Sequence, residues 1–212
     1  MTKGINVFLV IMAIAVTSTA QEKNIDLTNS GKDLTSRVEN NVVLPVVREK
    51  YEYYEVSGSC EKDVQCELNQ KCLCWTDGKK YDSITNWKVK WDYGHNRTSQ
   101  ACTTNSFTVT VDIIFHLPKL VRTGNAPQPL VEKWDTFLEN LQTHENGHRD
   151  RAVEAATDLT RAVKELPPVR TCAELDWEVQ ELSREHMKKL NREQKEYDAV
   201  TNHGKTQGAV FP

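Results

Sequence analysis

Three stretches between residues 51 and 116 alternate apolar and polar side chains, which is typical of half-buried β-strands. Two of them are clear, at residues 87–93 and 107–116, and both are rich in aromatic and β-branched side chains. A weaker one begins at Tyr51 and ends at Ser57 and Gly58. Because one face of each strand is apolar and the other polar, the pattern predicts antiparallel strands that cover one side of a core.

The period changes to three and four residues after Pro129, as expected for an amphipathic helix. Apolar side chains recur at this spacing up to residue 166, and Pro167 and Pro168 would then end the helix. A second stretch of this kind covers residues 175–197. We therefore predict a helix at about residues 130–165 and an antiparallel partner helix after it. The expected fold class is α+β, an antiparallel β-sheet followed by a long helical hairpin.

The start of the chain has the features of a secretory signal peptide. Lys3 precedes an apolar run at residues 5–16, and small residues follow at 18–20. Because this run is too short to span a bilayer comfortably, a signal peptide at residues 1–20 is favoured over an uncleaved anchor. Residues 21–48 are predicted to be a flexible polar lead-in, which leaves residues 49–212 as one domain. We expect a secreted or periplasmic protein without a membrane span after cleavage.

Charge and composition argue against two broad classes of protein. The chain has 27 Lys and Arg against 30 Asp and Glu, a net charge of −3, so it has no basic surplus with which to neutralise nucleic-acid phosphates. Hydrophobic residues make up 38% and aromatic residues 8% of the chain, which is too much for general disorder. A folded domain that does not bind nucleic acid is the interpretation consistent with both.

The six cysteines agree with export, since disulfides persist in oxidising compartments. Cys102 and Cys172 stand apart and are predicted to pair. Four more lie within 15 residues, in a segment predicted to be a loop, and are expected to pair among themselves in one of three connectivities: Cys60, Cys66, Cys72 and Cys74. A structural zinc site formed by these four is an alternative, although their spacing does not match the usual C-x₂-C pairs.

The first predicted helix contains an H-E-x-x-H motif, formed by His144, Glu145 and His148. Histidines four residues apart lie on the same helix face and can bind one Zn²⁺, while the glutamate between them can act as a general base. Both histidines are in phase with the apolar stripe of the helix, where an unpartnered imidazole would be costly. The alternative is a pair of core histidines with ordinary hydrogen-bond partners.

A catalytic zinc site needs a third protein ligand, and two known spacings do not supply one. The metzincin spacing places a glutamate, Glu154, at the ligand position and Arg151 where a glycine is required; the thermolysin-like spacing falls on Pro168. The third ligand must therefore come from the second helix or from the segment that follows it. A helical rise of about 1.5 Å per residue places His186 near the level of the motif.

The second helix is followed by the pattern Y-D-x-x-T-x-H-G at residues 197–204. Other notable positions are the W-x-V-x-W stretch at residues 87–91, Cys102, Leu117, Pro118, Trp134 and Cys172. Through these features and the H-E-x-x-H motif, the chain resembles a family of secreted bacterial proteins of unknown function that are described as zinc-dependent proteases. The resemblance covers about residue 50 to the C-terminus. It implies a metallopeptidase-like site with His203 as the third ligand. We rank His203 first among the candidates, His186 second and Asp198 third.

These features predict a secreted zinc-dependent peptidase of zincin-like design that acts on a peptide or protein substrate. Glu145 would activate the attacking water, and an exposed strand edge at residues 107–115 would align an extended peptide. Tyr197 is either a hydrogen-bond donor to the substrate oxyanion or a core aromatic residue. Two alternatives come from other classes: an exported zinc-binding protein without catalysis, and a disulfide-stapled interaction protein in which the motif is accidental.

Overall fold

The structure is a computed structural model that describes residues 38–39, 42–75, 78–121 and 126–212. The predicted signal peptide and most of the predicted lead-in lie outside these residues. Among the residues that are described, no helix is both long and apolar enough to cross a bilayer. The elements in chain order are β1 (Val38–Glu39), β2 (Val42–Val43), β3 (Val46–Val56), α1 (Glu61–Lys71), β4 (Leu73–Cys74), β5 (Lys80–Tyr81), β6 (Ile84–Arg97), β7 (Cys102–Leu120), α2 (Gln128–Lys164), α3 (Cys172–Thr201) and a 3₁₀ turn (Lys205–Gln207).

The main sheet has three strands in the order β3-β7-β6. β6 and β7 pair antiparallel, as their alternation predicts. β3, by contrast, runs parallel to β7, so the expectation of an antiparallel sheet is wrong for this strand. Parallel neighbours need a long crossover connection. The chain supplies one, because α1, β4, β5 and β6 all lie between β3 and β7. The fold is therefore mixed α+β.

β7 is the central strand of this sheet and is 19 residues long. One of its faces is buried in the core, through Val109, Val111, Ile113 and Phe115. Residues 110–115 pair with β3 on one side and with β6 on the other. The expectation of an exposed edge at residues 107–115 is therefore wrong for residues 110–115, because their backbone groups are already paired on both sides within the sheet. The edge strands of this sheet are β3 and β6.

Two long helices pack against the sheet and against each other. α2 begins at Gln128 and ends at Lys164, within two residues of the predicted bounds. At about 1.5 Å per residue, its length is about 55 Å. Near its start, Trp134 and Phe137 pack on Phe211 of the C-terminal segment, with ring centroids 6.0 and 5.5 Å apart. The predicted pair of long helices is present, and the chain after α3 returns along α2.

The predicted disulfide joins the first residue of β7 to the first residue of α3. Cys102 and Cys172 are bonded, with Cα atoms 5.2 Å apart. Beside this bridge, Cys102 and Val169 exchange two backbone hydrogen bonds of 2.7 and 3.0 Å. Thr171 caps α3 by accepting a hydrogen bond from the backbone N–H of Glu174. The start of α3 is thus tied to the sheet by a covalent bond, a backbone pair and a cap.

The cysteine-rich segment contains a helix where a loop was expected. α1 has 11 residues and buries Val64 and Leu68, which lie one turn apart. The four clustered cysteines are free thiols: Cys60, Cys66, Cys72 and Cys74. Cys66 lies six residues from Cys60 and six from Cys72. Six residues along a helix separate two Cα atoms by about 9 Å, which is more than a disulfide can bridge. The structure therefore corrects the predicted stapled loop to a helix that contains one unpaired cysteine, Cys66, and is flanked by the other three.

Candidate metal centre

Two helices bring three side chains with metal-ligating atoms together. His144 and His148 lie one turn apart on α2, and Asp198 lies in the last turn of α3. Asp198 Oδ1 is 3.1 Å from His148 Nε2 and 3.4 Å from His144 Nε2. The three ligand atoms all lie within 4.8 Å of one another. Two imidazole nitrogens and one carboxylate oxygen at this spacing can hold a metal ion.

The cluster is buried on the α2 side and reaches solvent on the α3 side. The side chains of His144 and His148 are 6% and 12% exposed, whereas that of Asp198 is 31% exposed. This difference matters because structural zinc sites are closed by four protein ligands, while catalytic sites keep one position open to water or substrate. A three-residue set with one partly exposed member resembles the second kind.

The charges of the cluster favour an ionised Asp198. Burial raises the pKa of this carboxyl. Hydrogen bonds from His144 and His148 and the positive charge of His148 lower the pKa by more than burial raises it, so the net pKa is well below its usual range. Burial lowers the pKa of His148, but the hydrogen bond to Asp198 and the negative charge of Glu145 outweigh it and raise the pKa overall. An ionised carboxylate beside two imidazoles is a set that attracts a cation.

Asp198, the last of the three candidates for the third ligand, is the one that joins the two histidines. His203, the preferred candidate, lies beside the cluster. Its Nδ1 is 3.5 Å from Asp198 Oδ1, and its ring packs on Tyr81 with centroids 4.8 Å apart. His186 lies about 18 Å from Asp198 along α3, and its Nδ1 contacts the carbonyl oxygen of Leu182 at 2.8 Å. The structure thus keeps His203 near the centre and excludes His186.

The offset between the two long helices explains why His186 is not the ligand. His148 packs on Gln194 of α3. His148 lies 16 residues before the end of α2, whereas Gln194 lies 22 residues after the start of α3. At about 1.5 Å per residue, α3 must begin about 9 Å beyond the end of α2. If both helices are assumed to begin and end at the same level, the residue of α3 opposite His148 is therefore placed too near the start of α3, close to His186.

The second ring nitrogen of each histidine contacts a glutamine. His144 Nδ1 is 3.0 Å from Gln207 Oε1, and His148 Nδ1 is 2.5 Å from Gln194 Oε1. Gln207 reaches this position because Asn202, with φ 49°, ends α3 in a left-handed turn and the chain folds back over α2. Neither glutamine could be predicted from the sequence, because a single amide far along the chain from its partner carries no local signal.

Glu145, the predicted general base, is buried against the start of β6. It is 2% exposed, and its two oxygens accept hydrogen bonds from Ser83 (2.5 Å) and Thr85 (2.6 Å). Both hydroxyl side chains are themselves buried. Neither could be predicted from the sequence, since two hydroxyl residues at the start of a strand form no motif. The carboxylate is therefore held at the start of β6, close enough to His148 for its negative charge to raise the pKa of that histidine.

Tyr197 is packed inside the centre. Its ring stacks on His144 and meets His148 edge-on, with centroids 5.0 Å apart in both cases. The guanidinium carbon of Arg151 lies 3.6 Å above the Tyr197 ring. The Tyr197 hydroxyl donates to the carbonyl oxygen of His144 at 3.2 Å and accepts from Gln207 Nε2 at 3.2 Å. A buried and fully engaged hydroxyl favours the core-aromatic interpretation of Tyr197 over donation to a substrate.

We expect Gly147→Ala to destabilise the protein, although alanine is the better helix former. A Cβ atom at residue 147 would overlap the hydroxyl and the ring of Tyr197. Overpacking of this kind costs roughly 1–3 kcal/mol and can exceed the gain of about 1 kcal/mol in helix propensity. Because the displaced ring stacks on His144, metal affinity should fall as well. Urea unfolding and metal titration measure the two effects.

A double-mutant cycle with Tyr197→Leu identifies the cause of this loss. Leucine is too short to reach residue 147, so in that background Gly147→Ala should be neutral or stabilising. Gln142→Ala, at an exposed position on the same helix, controls for the general effect of alanine on α2. An equal loss from Gly147→Ala in both backgrounds would contradict the overlap with Tyr197 as the cause.

A second group of ligand-type atoms lies at the disulfide and comprises His95, Cys102 and Cys172. Its two sulfur atoms are bonded to each other. They are therefore not available as thiolates, the form in which cysteine binds a metal. Within the part of the chain that the structure describes, the group of His144, His148 and Asp198 is the remaining candidate metal centre.

Comparison with known proteins gives one match. No curated protein and no solved structure matches the chain. Residues 51–204 match the family described as "Bacterial protein of unknown function (DUF922)". The matched segment contains β6, β7, α2 and α3, and with them all three residues of the candidate metal centre. Because the match covers well over half of the sequence, the chain belongs to the DUF922 family of bacterial proteins of unknown function.

Proposed function

We propose that this protein is an exported zinc-dependent hydrolase of zincin-like design that cleaves peptide bonds. The observation that carries the proposal is the group formed by His144, His148 and Asp198, which supplies two histidines and one carboxylate beside a glutamate of an H-E-x-x-H motif. Two histidines with a carboxylate form one of the ligand sets of catalytic zinc. The disulfide between Cys102 and Cys172 supports export, since such bonds persist in oxidising compartments.

The donor atoms fit zinc better than the hard cations. Mg²⁺ and Ca²⁺ prefer sites built from oxygen ligands, whereas two of the three donors here are imidazole nitrogens. Two histidines and one carboxylate can also hold Fe²⁺. Zinc is favoured because the glutamate directly after His144 matches the arrangement in which a helix supplies both metal ligands and the general base. Asp198 is the proposed third ligand, with the neighbouring His203 as the alternative.

The proposed chemistry divides between the ion and the chain. When bound, zinc lowers the pKa of a coordinated water toward ~7. Glu145 accepts the proton of the attacking water and passes it to the leaving amine. Ser83 and Thr85 position the Glu145 carboxylate through their hydrogen bonds. The path to solvent on the Asp198 side is where a peptide would enter.

Zinc content per chain tests the proposal. Elemental mass spectrometry of the protein should give about one zinc ion per chain, and His144→Ala should give almost none. Asp198→Asn should lose most of the metal, while His203→Ala should keep it if Asp198 is the third ligand. His186→Ala is the matched control, since it removes a histidine that lies on α3, as Asp198 does, but far from the centre. Equal zinc in all variants would contradict the site, and iron in place of zinc would contradict the choice of metal.

One observation favours a second candidate function, an exported zinc-binding protein without hydrolysis. Glu145 is 2% exposed, and both of its oxygens already accept hydrogen bonds from the sheet. A carboxylate held in this way is suited to a structural role that joins α2 to β6. Zinc content is the same for both candidates and does not separate them. Peptide hydrolysis, and its loss in Glu145→Gln, does.

A further inference from the structure

We propose that Gln194 and Gln207 fix the tautomer of the two histidines of the centre and thereby direct their Nε2 atoms to the metal. The proposal rests on the zinc site proposed above. A neutral imidazole carries one proton, and only its unprotonated nitrogen can bind a metal. A hydrogen-bond acceptor at Nδ1 keeps the proton there and leaves the Nε2 lone pair free.

The orientation of the Gln194 amide follows from a second contact. Its Nε2 donates to the backbone carbonyl oxygen of His148 at 2.9 Å, and a carbonyl oxygen can only accept. The oxygen Oε1 must therefore be the atom that faces His148 Nδ1, at 2.5 Å. Because an amide oxygen has no proton to give, the hydrogen bond requires the proton on His148 Nδ1. Gln194 thus recognises both the backbone and the ring of the same histidine.

The orientation of Gln207 is fixed by a longer chain of hydrogen bonds. The Tyr197 hydroxyl donates to the carbonyl oxygen of His144 at 3.2 Å. It can then accept a hydrogen bond from Gln207 Nε2 at 3.2 Å, a shorter contact than the 3.4 Å that separates the hydroxyl from Gln207 Oε1. This places Gln207 Oε1 toward His144 Nδ1, at 3.0 Å. This chain of hydrogen bonds begins at the carbonyl oxygen of His144 and ends at the ring of the same residue, where it places the proton on Nδ1.

The C-terminal segment holds Gln207 in place. Gly208, the next residue, accepts a hydrogen bond through its carbonyl oxygen from Asn140 Nδ2 at 3.1 Å. Further along, Phe211 is 4% exposed and packs on Trp134 and Phe137 of α2. The segment is therefore anchored to α2 on the C-terminal side of Gln207. This anchoring is what lets a residue outside both long helices act on a histidine of α2.

Asp198 competes with the glutamines for the ring protons. Its Oδ1 faces Nε2 of both histidines and can accept a proton from either. The effect of the glutamines is therefore measured most directly in an Asp198→Ala background without metal. There, within the described part of the chain, the remaining polar contacts of the two rings are those of Nδ1 with Gln207 and Gln194, and the glutamine alone should decide the tautomer.

Nitrogen-15 NMR of the histidine rings tests the proposal. At a pH at which both imidazole rings are neutral, metal-free Asp198→Ala protein should show Nδ1–H tautomers at His144 and His148. Adding Gln207→Leu should shift only His144 toward Nε2–H, and adding Gln194→Leu should shift only His148. Gln194→Glu keeps an acceptor and should restore the Nδ1–H signature. Unchanged Nδ1–H tautomers in the leucine variants would overturn the proposal.

Zinc affinity of the protein with Asp198 intact gives the second measurement. Each leucine variant should weaken zinc binding roughly 10–100-fold in competition with a chelator, as expected for the loss of an outer hydrogen-bond partner. Gln142→Leu, at an exposed site on α2, should leave the affinity unchanged. Nδ1–H tautomers in a protein that binds no zinc would refute the zinc site while supporting the role of the glutamines in the tautomer. Normal zinc affinity in both leucine variants, with unchanged tautomers, would refute the glutamine proposal alone.

Discussion

Removal of the Cys102–Cys172 disulfide is expected to lower the free energy of unfolding by about 4 kcal/mol. The bond joins residues 70 positions apart, so its loss releases a long loop in the unfolded chain and increases the entropy of that state. The double variant Cys102→Ala/Cys172→Ala should melt roughly 10 °C below the unmodified protein. Urea unfolding under non-reducing conditions gives the free energy directly.

A matched control separates the crosslink from the loss of cysteine side chains. Cys66→Ala removes an exposed, unpaired cysteine on α1 and should change stability by less than about 0.5 kcal/mol. Chemical reduction of the unmodified protein should reproduce the loss seen in the double variant. The bridge lies at the opposite end of α3 from Asp198, so zinc affinity of the folded double variant should stay unchanged. A stability loss below about 1 kcal/mol would show that the backbone pair of Cys102 with Val169 and the core suffice to hold the start of α3.

The elements with a strong local period could be predicted from the sequence. Residues on the buried face of α2 recur every three or four positions over ten turns, and the observed helix differs from the predicted one by at most two residues at each end. The alternation in β6 and β7 likewise gave two true antiparallel neighbours. The disulfide was also predictable, because two isolated cysteines in an otherwise clustered set leave few partners.

The pairing of β3 and the helix α1 could not be predicted in this way. β3 has alternating residues whether its neighbour is parallel or antiparallel, and only the path of the crossover decides between them. α1 has just two buried residues, Val64 and Leu68, in a segment otherwise full of polar side chains and cysteines. That is too little apolar periodicity to distinguish a short helix from a loop.

The candidate metal centre was predictable for the residues on α2 and not for the rest. His144 and His148 belong to one motif on one helix face, so local geometry suffices to bring them together. The third position depends on how far α3 is shifted along α2, which the sequence does not state. Asp198 therefore takes the place for which His203 was preferred, and Gln194, Gln207, Ser83 and Thr85 join the centre through packing alone.

Glu145→Gln is expected to abolish peptide hydrolysis and to leave zinc in place. Glutamine has the size of glutamate and can still exchange hydrogen bonds with Ser83 and Thr85, but it cannot accept the proton of the attacking water. Loss of a general base of this kind lowers turnover by roughly 10²–10⁴-fold. Cleavage of a mixed peptide library, followed by mass spectrometry, measures turnover, and zinc content is determined on the same samples.

Ser83→Ala and Thr85→Val show whether the buried position of Glu145 is compatible with catalysis. Each removes one hydroxyl that holds the carboxylate and keeps the carboxylate itself, so both should retain zinc and lose less turnover than Glu145→Gln. If Glu145 instead serves only to join α2 to β6, the three substitutions should lower stability alike and none should change turnover selectively. A zinc-loaded Glu145→Gln protein that keeps turnover within about ten-fold of the unmodified protein would contradict the role of Glu145 as general base. Absence of turnover in the zinc-loaded unmodified protein would favour a zinc-binding protein without catalysis. The same three variants therefore distinguish a Glu145 that acts as a general base from a Glu145 that only joins α2 to β6 through its hydrogen bonds with Ser83 and Thr85.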